Sequence, residues 1–309
     1  MLSLTNLQLD MDEWLNFVLT TLSYEAEMKI NQNKFKGKIV LITGASNGIG
    51  KQTALDFASA EAMAVILVAR TESKLAELES IIRGGKRVDQ VNVVSYCYDV
   101  SNKKGVFELA QKVIDRFGYI DILINNAGIG IYGKVEDQTV EDLESVMRTN
   151  YLGTVYCTKA FLGPMLRRRS GHIVNVASVA ASFGVAGMAG YSASKYAILG
   201  FSESLRHELH GTGVEITVVS PIGVKTNFFN HQSFGPKKPN YAGFFLEPQN
   251  VSKAILKASC SSRLEIIVPF YVRAGVWLKQ TFPYVLNPLV GWLFRQQLKK
   301  SSRAPSDIH

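Results

Sequence analysis

Carboxylates, cysteines and long apolar runs are what this sequence has little of. Its 26 acidic residues are outnumbered by 34 basic ones, leaving a net charge of +8. Such an excess admits a nucleic acid, an anionic membrane surface or a phosphorylated small molecule as partner. No helix-turn-helix, zinc-finger or aromatic RNA-binding signature accompanies the charge, so nucleic acid ranks last and none is expected. The three cysteines, Cys97, Cys157 and Cys260, are odd in number, widely scattered and without metal-ligand spacing. They exclude a disulfide scaffold and a cysteine metal centre, no metal is expected, and they suit reduced packing residues in a cytoplasmic chain. There is no internal repeat and no low-complexity segment. A secretory leader is not expected, because the apolar stretch from Trp14 to Leu22 is short, follows Asp12 and Glu13, and lacks a basic leader and a small-residue cleavage site.

What is present is an alternation of short apolar runs and segments of helical period. Strands are expected near 38–43, 64–69, 91–97, 120–125, 171–177, 214–220 and 264–269, with helices between them. Such alternation forces crossovers, hence an α/β fold with one doubly wound parallel sheet of about seven strands, helices on both faces, and the ligand at the carboxyl ends of the strands. The chain divides into an N-terminal extension over 1–35, a central α/β domain over 36–270, and a basic C-terminal extension over 271–309.

The first strand, Lys38 to Ile42, runs into Thr43-Gly44-Ala45-Ser46-Asn47-Gly48-Ile49-Gly50 and then a helix. Glycines there let backbone N–H groups approach a pyrophosphate, whose charge sits against the positive end of the helix. At the other end of the domain, Tyr191 and Lys195 are four residues apart, which on a helix stacks them on one face. A fixed ammonium there is expected to pull the phenol below its ordinary pKa of about 10.

These two ends, with Asp99-Val100, Asn125-Asn126-Ala127-Gly128, Asn150, Ser178, and Pro221 through Thr226 between and beyond them, occur in the order found in the short-chain dehydrogenase/reductase family. The sequence resembles that family over about residues 36 to 270, and Ser178 precedes Tyr191 by the family's usual 13 residues. The resemblance implies a nicotinamide dinucleotide and hydride transfer between it and a ketone, aldehyde or alcohol. Tyr191 would then be the acid/base and Ser178 the second donor to the reacting oxygen. Lys195 would also grip the ribose hydroxyls, and Asn150 would hold a water linking Lys195 to solvent. It implies a cofactor site built from Gly44, Ser46, Asn47, Gly48, Ile49, Gly50, Arg70, Asp99, Val100, Asn126, Ala127, Gly128, Tyr191, Lys195, Pro221, Val224 and Thr226. Asp99 and Val100 would meet the adenine, and Val224 and the Thr226 hydroxyl would orient the carboxamide. Asp99 also suits a plain turn or cap. Ile222 stands where the family usually has glycine, and Ala177 where it often has serine.

Cofactor choice turns on the end of the second strand, where Ala69-Arg70 replaces the Asp or Glu that holds a ribose 2′-hydroxyl. An arginine pairs with a 2′-phosphate, so NADP(H) is expected, with NAD(H) the alternative and Arg70 as a solvated strand-end residue the plain reading. Ser46 and Lys74 add a donor and a charge. A long irregular stretch, 227–247, is expected to lie over the substrate cleft as a lid.

The C-terminal extension carries Trp277, Phe282, Tyr284, Trp292 and Phe294 among aliphatics, with basic Arg273, Lys279, Arg295, Lys299, Lys300 and Arg303 against the single acid Asp307. Lys279, Pro283 and Pro288 break it below the roughly 20 apolar residues of a spanning helix. Two readings stand side by side: residues 271–300 lie in a membrane surface, or they pack on protein. The tail is similar to those of family members that reduce lipid or steroid ketones, such as ketosphinganine reductase-like enzymes. With Ile129, Ile131 and Tyr132 and the apolar Trp14, Leu15, Phe17, Val18 and Leu22, it points to a hydrophobic carbonyl or secondary alcohol as substrate. The expected setting is cytoplasmic, peripheral if the membrane reading holds, and the family resemblance implies a dimer or tetramer. A catalytically idle nucleotide-binding or scaffold protein of the same fold is the rival reading.

Overall fold

The computed structural model describes residues 32–85, 91–234 and 245–302, so the apolar N-terminal segment around Trp14 and the central part of the expected lid lie outside the described residues. Among the described residues the strands are β1 (Ile39–Thr43), β2 (Ala64–Ala69), β3 (Asn92–Cys97), β4 (Ile122–Asn125), β5 (Gly171–Val176), β6 (Val214–Pro221) and β7 (Glu265–Val268). They form one parallel sheet in the order β3-β2-β1-β4-β5-β6-β7. All seven expected strands are found, with ends shifted by one or two residues.

The sheet is buried on both faces because its central strands are predominantly apolar. β1 and β2 are buried throughout, and successive β1 residues point into opposite layers. Val40 and Ile42 pack with Phe57 of α1 (Gly48–Ser59), Leu75 and Leu78 of α2 (Glu72–Arg83) and Ile255 of α7 (Pro248–Ala258). Ile39 and Leu41 pack with Leu109 and Val113 of α3 (Lys103–Phe117), Phe161 and Met165 of α5 (Gly153–Arg168) and Leu205 of α6 (Ala189–Glu208). Between α4 (Val140–Met147) and α5 the chain makes a π-helical turn, Arg148–Leu152, that carries Asn150.

The strand order reverses between β1 and β4, so the loops leaving these strands diverge and open a crevice at their carboxyl ends. A side chain pins that split. The buried Thr43 hydroxyl accepts hydrogen bonds from the Asn126 and Ala127 N–H groups (3.0 and 3.1 Å) and donates to the Ile124 carbonyl (3.3 Å). Asn126 returns the tie, its Nδ2 donating to the Thr43 carbonyl at 3.0 Å.

After β7 come α8 (Val272–Thr281) and α9 (Pro283–Ser302). Pro283 opens α9, where its missing N–H costs nothing, but Pro288 does not end the helix.

At the opposite end of the sheet, buried Asp121 accepts the Ile39 N–H at 2.9 Å and lies within 3.6 Å of Lys38 and 3.4 Å of Arg168. Replacing it leaves a buried strand N–H without an acceptor. Asp121→Ala should therefore lower unfolding free energy by about 1–3 kcal/mol, read as a reduced denaturant midpoint, with nucleotide binding at the far end unchanged.

Candidate active site

The glycine loop after β1 is shaped by what it cannot hold. Gly44 has φ +66°, and a Cβ on Gly50 would lie 2.2 Å from the Gly44 carbonyl oxygen, so the first turn of α1 sits tight under the loop. Asn47 is the N-cap residue of α1 but makes no side-chain cap bond, which leaves the first helical N–H groups facing the crevice.

Gly44, Ser46, Asn47, Gly48, Ile49, Arg70, Asp99, Val100, Asn126, Ala127, Gly128 and Thr226 all line one polar cleft of about 520 Å³, and Lys74 joins them. Arg70 and Asp99 face each other across it at 3.9 Å. Asp99 also accepts the Ser101 N–H at 2.9 Å, so it is a turn residue as well as a cleft residue. A loop that brings helix N–H groups to a crevice, with Arg70 and Lys74 at its outer end, fits an anionic dinucleotide.

Beside it lies a second cavity of about 270 Å³, lined by Ser178, Tyr191, Pro221 and Val224 together with Phe183, Met188, Phe228 and Phe294. None of the described residues of its lining carries a charge. Ile49, Asn126, Gly128, Thr226 and Phe228 border both spaces, and Tyr191 lines the apolar one with its ring 5.3 Å from Phe228 of that shared wall.

Tyr191 and Lys195 lie one turn apart on α6, with the ammonium 5.5 Å from the phenol ring centroid. Lys195 is only 4% exposed, and its Nζ donates to the Val176 carbonyl at 2.8 Å. Burial pushes this amine down to about 8. Burial likewise raises the Tyr191 phenol to about 12, with a hydrogen bond to Ser178 pulling the other way. Here the structure differs from the expectation that Lys195 draws the phenol down. In this site desolvation outweighs the neighbouring amine, because the same burial weakens the charge on both groups and the amine is turned to a carbonyl.

Ser178 follows β5 in extended backbone, its hydroxyl accepting from the Ala180 N–H (3.1 Å) and lying 3.3 Å from the Pro221 carbonyl. Asn150 is fully buried and spends its side chain on the fold. It accepts from the Ile129 N–H (2.8 Å) and donates to the Ile129 carbonyl (3.0 Å) and the Ser194 hydroxyl (2.9 Å). The turn holding Asn150 thus clamps the loop after β4 against α6. Gly128 is open for a reason besides ligand access: a Cβ there would come within 3.3 Å of Asn150 Oδ1 and 3.8 Å of Lys195 Nζ.

The Ile222 departure is absorbed locally. The Ile222 N–H bonds the Val268 carbonyl, and Gly223 one place later takes the close approach, with Phe245 packed 2.9 Å from where its Cβ would be. The Thr226 hydroxyl caps the following turn by accepting from the Phe228 N–H at 3.3 Å. In the described part of the expected lid, Phe228 lies edge-on to Tyr191 at 5.3 Å, Phe229 meets Phe245 at 5.5 Å and Phe234 stacks on Tyr132 at 5.7 Å.

Sequence reasoning left out Phe183, Met188 and Phe294 as lining, and Thr43 and Ser194 as positioning residues. Thr43 stood in the glycine motif and Ser194 beside Lys195, so adjacency could have flagged those two. Nothing local could have flagged Phe294.

The short chain dehydrogenase family model matches residues 38–235. A zebrafish (Danio rerio) protein named dehydrogenase/reductase SDR family member 7B is 34% identical over 85% of this chain and 87% of its own. Among solved structures, a short-chain dehydrogenase/reductase from Burkholderia phymatum in complex with NAD superposes with a TM-score of 0.72 at 28% identity, over 82% of this chain and 96% of its own. An alcohol dehydrogenase from Thermococcus sibiricus complexed with 5-hydroxy-NADP does so with a TM-score of 0.66 at 26% identity, over 75% and 95%.

The depressed Lys195 pKa has a measurable consequence in the cofactor-free protein. Between about pH 8 and 10.5 the unfolded chain holds the lysine proton that the folded chain has released, so stability gains with rising pH across that window. The wild type should gain on the order of 3 kcal/mol relative to Lys195→Met across it, measured by denaturant unfolding at several pH values. Parallel pH profiles for the two proteins would show that Lys195 is not buried as described.

Proposed function

This chain belongs to the short-chain dehydrogenase/reductase family and is an oxidoreductase, and we propose that it interconverts an uncharged, hydrophobic ketone or aldehyde and the corresponding alcohol using NADP(H). The observation that carries the reading is the junction of the two spaces: a polar cleft suited to a dinucleotide shares a wall with an uncharged apolar cavity, and Tyr191 stands at that wall. When bound, the nicotinamide supplies or accepts the hydride. The Thr43–Asn126 tie and the glycine loop would hold the pyrophosphate end, with Arg70 and Lys74 toward a 2′-phosphate and Val224 and Thr226 at the carboxamide.

The protein's own groups handle the proton and the oxygen. The Tyr191 phenol, protonated at neutral pH, can give its proton to the oxygen of a carbonyl being reduced, and the Ser178 hydroxyl beside it offers that oxygen a second hydrogen bond. Lys195 lies one helical turn from the phenol, its ammonium on the Val176 carbonyl. Ser194 and Asn150 fix the helix that carries both. With no charged residue in the described lining, a substrate carrying a carboxylate or phosphate next to the reacting carbon would lose its hydration without a partner there, which disfavours it. Lipid-like carbonyls satisfy this condition. The family resemblance also supports a dimer or tetramer, and the cysteine pattern a cytoplasmic setting.

Tyr191→Phe should cost about 10²- to 10⁴-fold in turnover of apolar ketones while NADP(H) affinity, measured by cofactor fluorescence, stays within a few-fold. Turnover by neither protein would reduce the chain to an idle nucleotide binder, and equal turnover by both would move the acid elsewhere. For cofactor choice, Arg70→Asp should weaken NADPH about ten- to a hundredfold and narrow or reverse the preference over NADH. Tighter NADH than NADPH binding by wild type sinks the assignment.

A further inference from the structure

The C-terminal hairpin of α8 and α9 is used by neither the dinucleotide cleft nor the proton chemistry, yet it is built onto the site. On α8, Val276 is buried, and the Lys279 ammonium bonds the Ser182 carbonyl just beyond Ser178, lies 3.3 Å from the Tyr196 hydroxyl and sits 5.4 Å from the Phe183 ring. On α9, Leu286, Val290 and Phe294 recur at helical spacing and are half-buried, and Phe294 lines the apolar cavity. The tail therefore packs on its own domain, as one of the two expected readings holds, and only with one face.

The other face is also apolar. Val285 is 70% exposed, Leu289 53% and Trp292 50%, one stripe along α9, and Phe282, Tyr284, Trp277 and Leu278 continue it. A helix apolar on both sides is a buried helix, so this stripe needs a cover. Its charge says which cover. From Val272 to Ser302 the sequence has no Asp or Glu; of its basic residues Lys279 is turned to its own domain, and Arg273, Arg295, Lys299 and Lys300 remain. A second copy meeting these helices would bring two segments of like charge together, whereas an anionic headgroup layer complements them. No helix among the described residues is long and apolar enough to cross a membrane, and two exposed tryptophans beside basic residues suit a helix lying in the interfacial plane.

We propose that α8 and α9 seat the protein in the plane of an anionic lipid surface, and that a ketone or alcohol dissolved in that layer reaches Tyr191 past Phe294. The seat stands on the hairpin alone, and the entry route rests on the oxidoreductase reading.

The test uses the full chain carrying Trp14→Phe, so that Trp277 and Trp292 are the remaining tryptophans. It is mixed with phosphatidylcholine vesicles with or without phosphatidylserine, some bearing brominated acyl chains. Flotation with the phosphatidylserine vesicles, release by salt and quenching by the brominated lipid are expected, and Leu289→Glu with Trp292→Glu should cut partitioning about tenfold or more. Protein that stays off these vesicles, unquenched tryptophans, or a double variant that binds like wild type each overturn the seat. So does a self-association that the double variant abolishes while vesicles go unbound, which would assign the face to a second copy. For the route, the double variant should slow turnover of a long-chain ketone carried in the vesicles and leave a short water-soluble ketone unaffected. Equal slowing of both overturns it. If wild type turns over neither ketone, the oxidoreductase reading fails, and the vesicle result still decides the seat.

Discussion

A buried ammonium with no carboxylate to neutralise it is the constraint on which the site depends. Lys195 is held by the Val176 carbonyl and the face of Tyr191, and the depression of its pKa has burial as its sole cause. Such a group is tolerated only where the surrounding structure over-determines its position. Here that structure is extensive: α6 is packed through Leu205 into one core layer, Ser194 is tied to Asn150, and Asn175 bonds both Ser202 of the same helix and Asn125 of the neighbouring strand. The sheet thus supports α6 from below along much of its length. Burial moves the amine down to about 8 and the phenol up to about 12, so the two groups titrate far apart and the phenol keeps its proton where the amine gives its own up.

The division of charge between the two spaces follows from the same topology. Loops leaving β1, β2 and β3 diverge on one side of the switch point and carry Ser46, Arg70, Lys74 and Asp99, a polar cleft. Loops leaving β5 and β6 lie on the other side and carry small and aromatic residues, an uncharged cavity. The boundary is β4, whose Asn126-Ala127-Gly128 exit is tied to Thr43 and kept free of side-chain bulk where Asn150 and Lys195 come close.

What was legible in the sequence was whatever a local pattern encodes. Every strand, the glycine loop and the Tyr191–Lys195 spacing depend on periodicity or on backbone chemistry within a few residues, and the structure gives each of them. The polar cleft gathers twelve of the seventeen expected cofactor residues because the family's order is an order of strand ends, which the parallel sheet aligns by construction. Illegible were the effects that sum over the whole neighbourhood. Spacing suggests that Lys195 acts on Tyr191, but the direction of both pKa shifts depends on burial supplied by segments far away in sequence. The hydrogen bonding of Asn150 depends on a π-helical turn that no local signal marks. Pro288 reads as an interruption, yet α9 continues because its neighbours on that helix find apolar partners.

Phe294 is the sharpest case, and it bears on how the tail can act. It lies outside the matched family region, 38–235, and more than a hundred residues after Ser178, yet it lines the same cavity. Trp292 precedes it by two positions, about 200° around a helix, so the exposed stripe and the cavity wall are opposite sides of one rigid element. Lys279 makes a second link from α8, joining the C-terminal helices to the segment that follows Ser178. The extension therefore supplies part of the wall of the apolar cavity with one face while the opposite face of the same helix carries the exposed stripe.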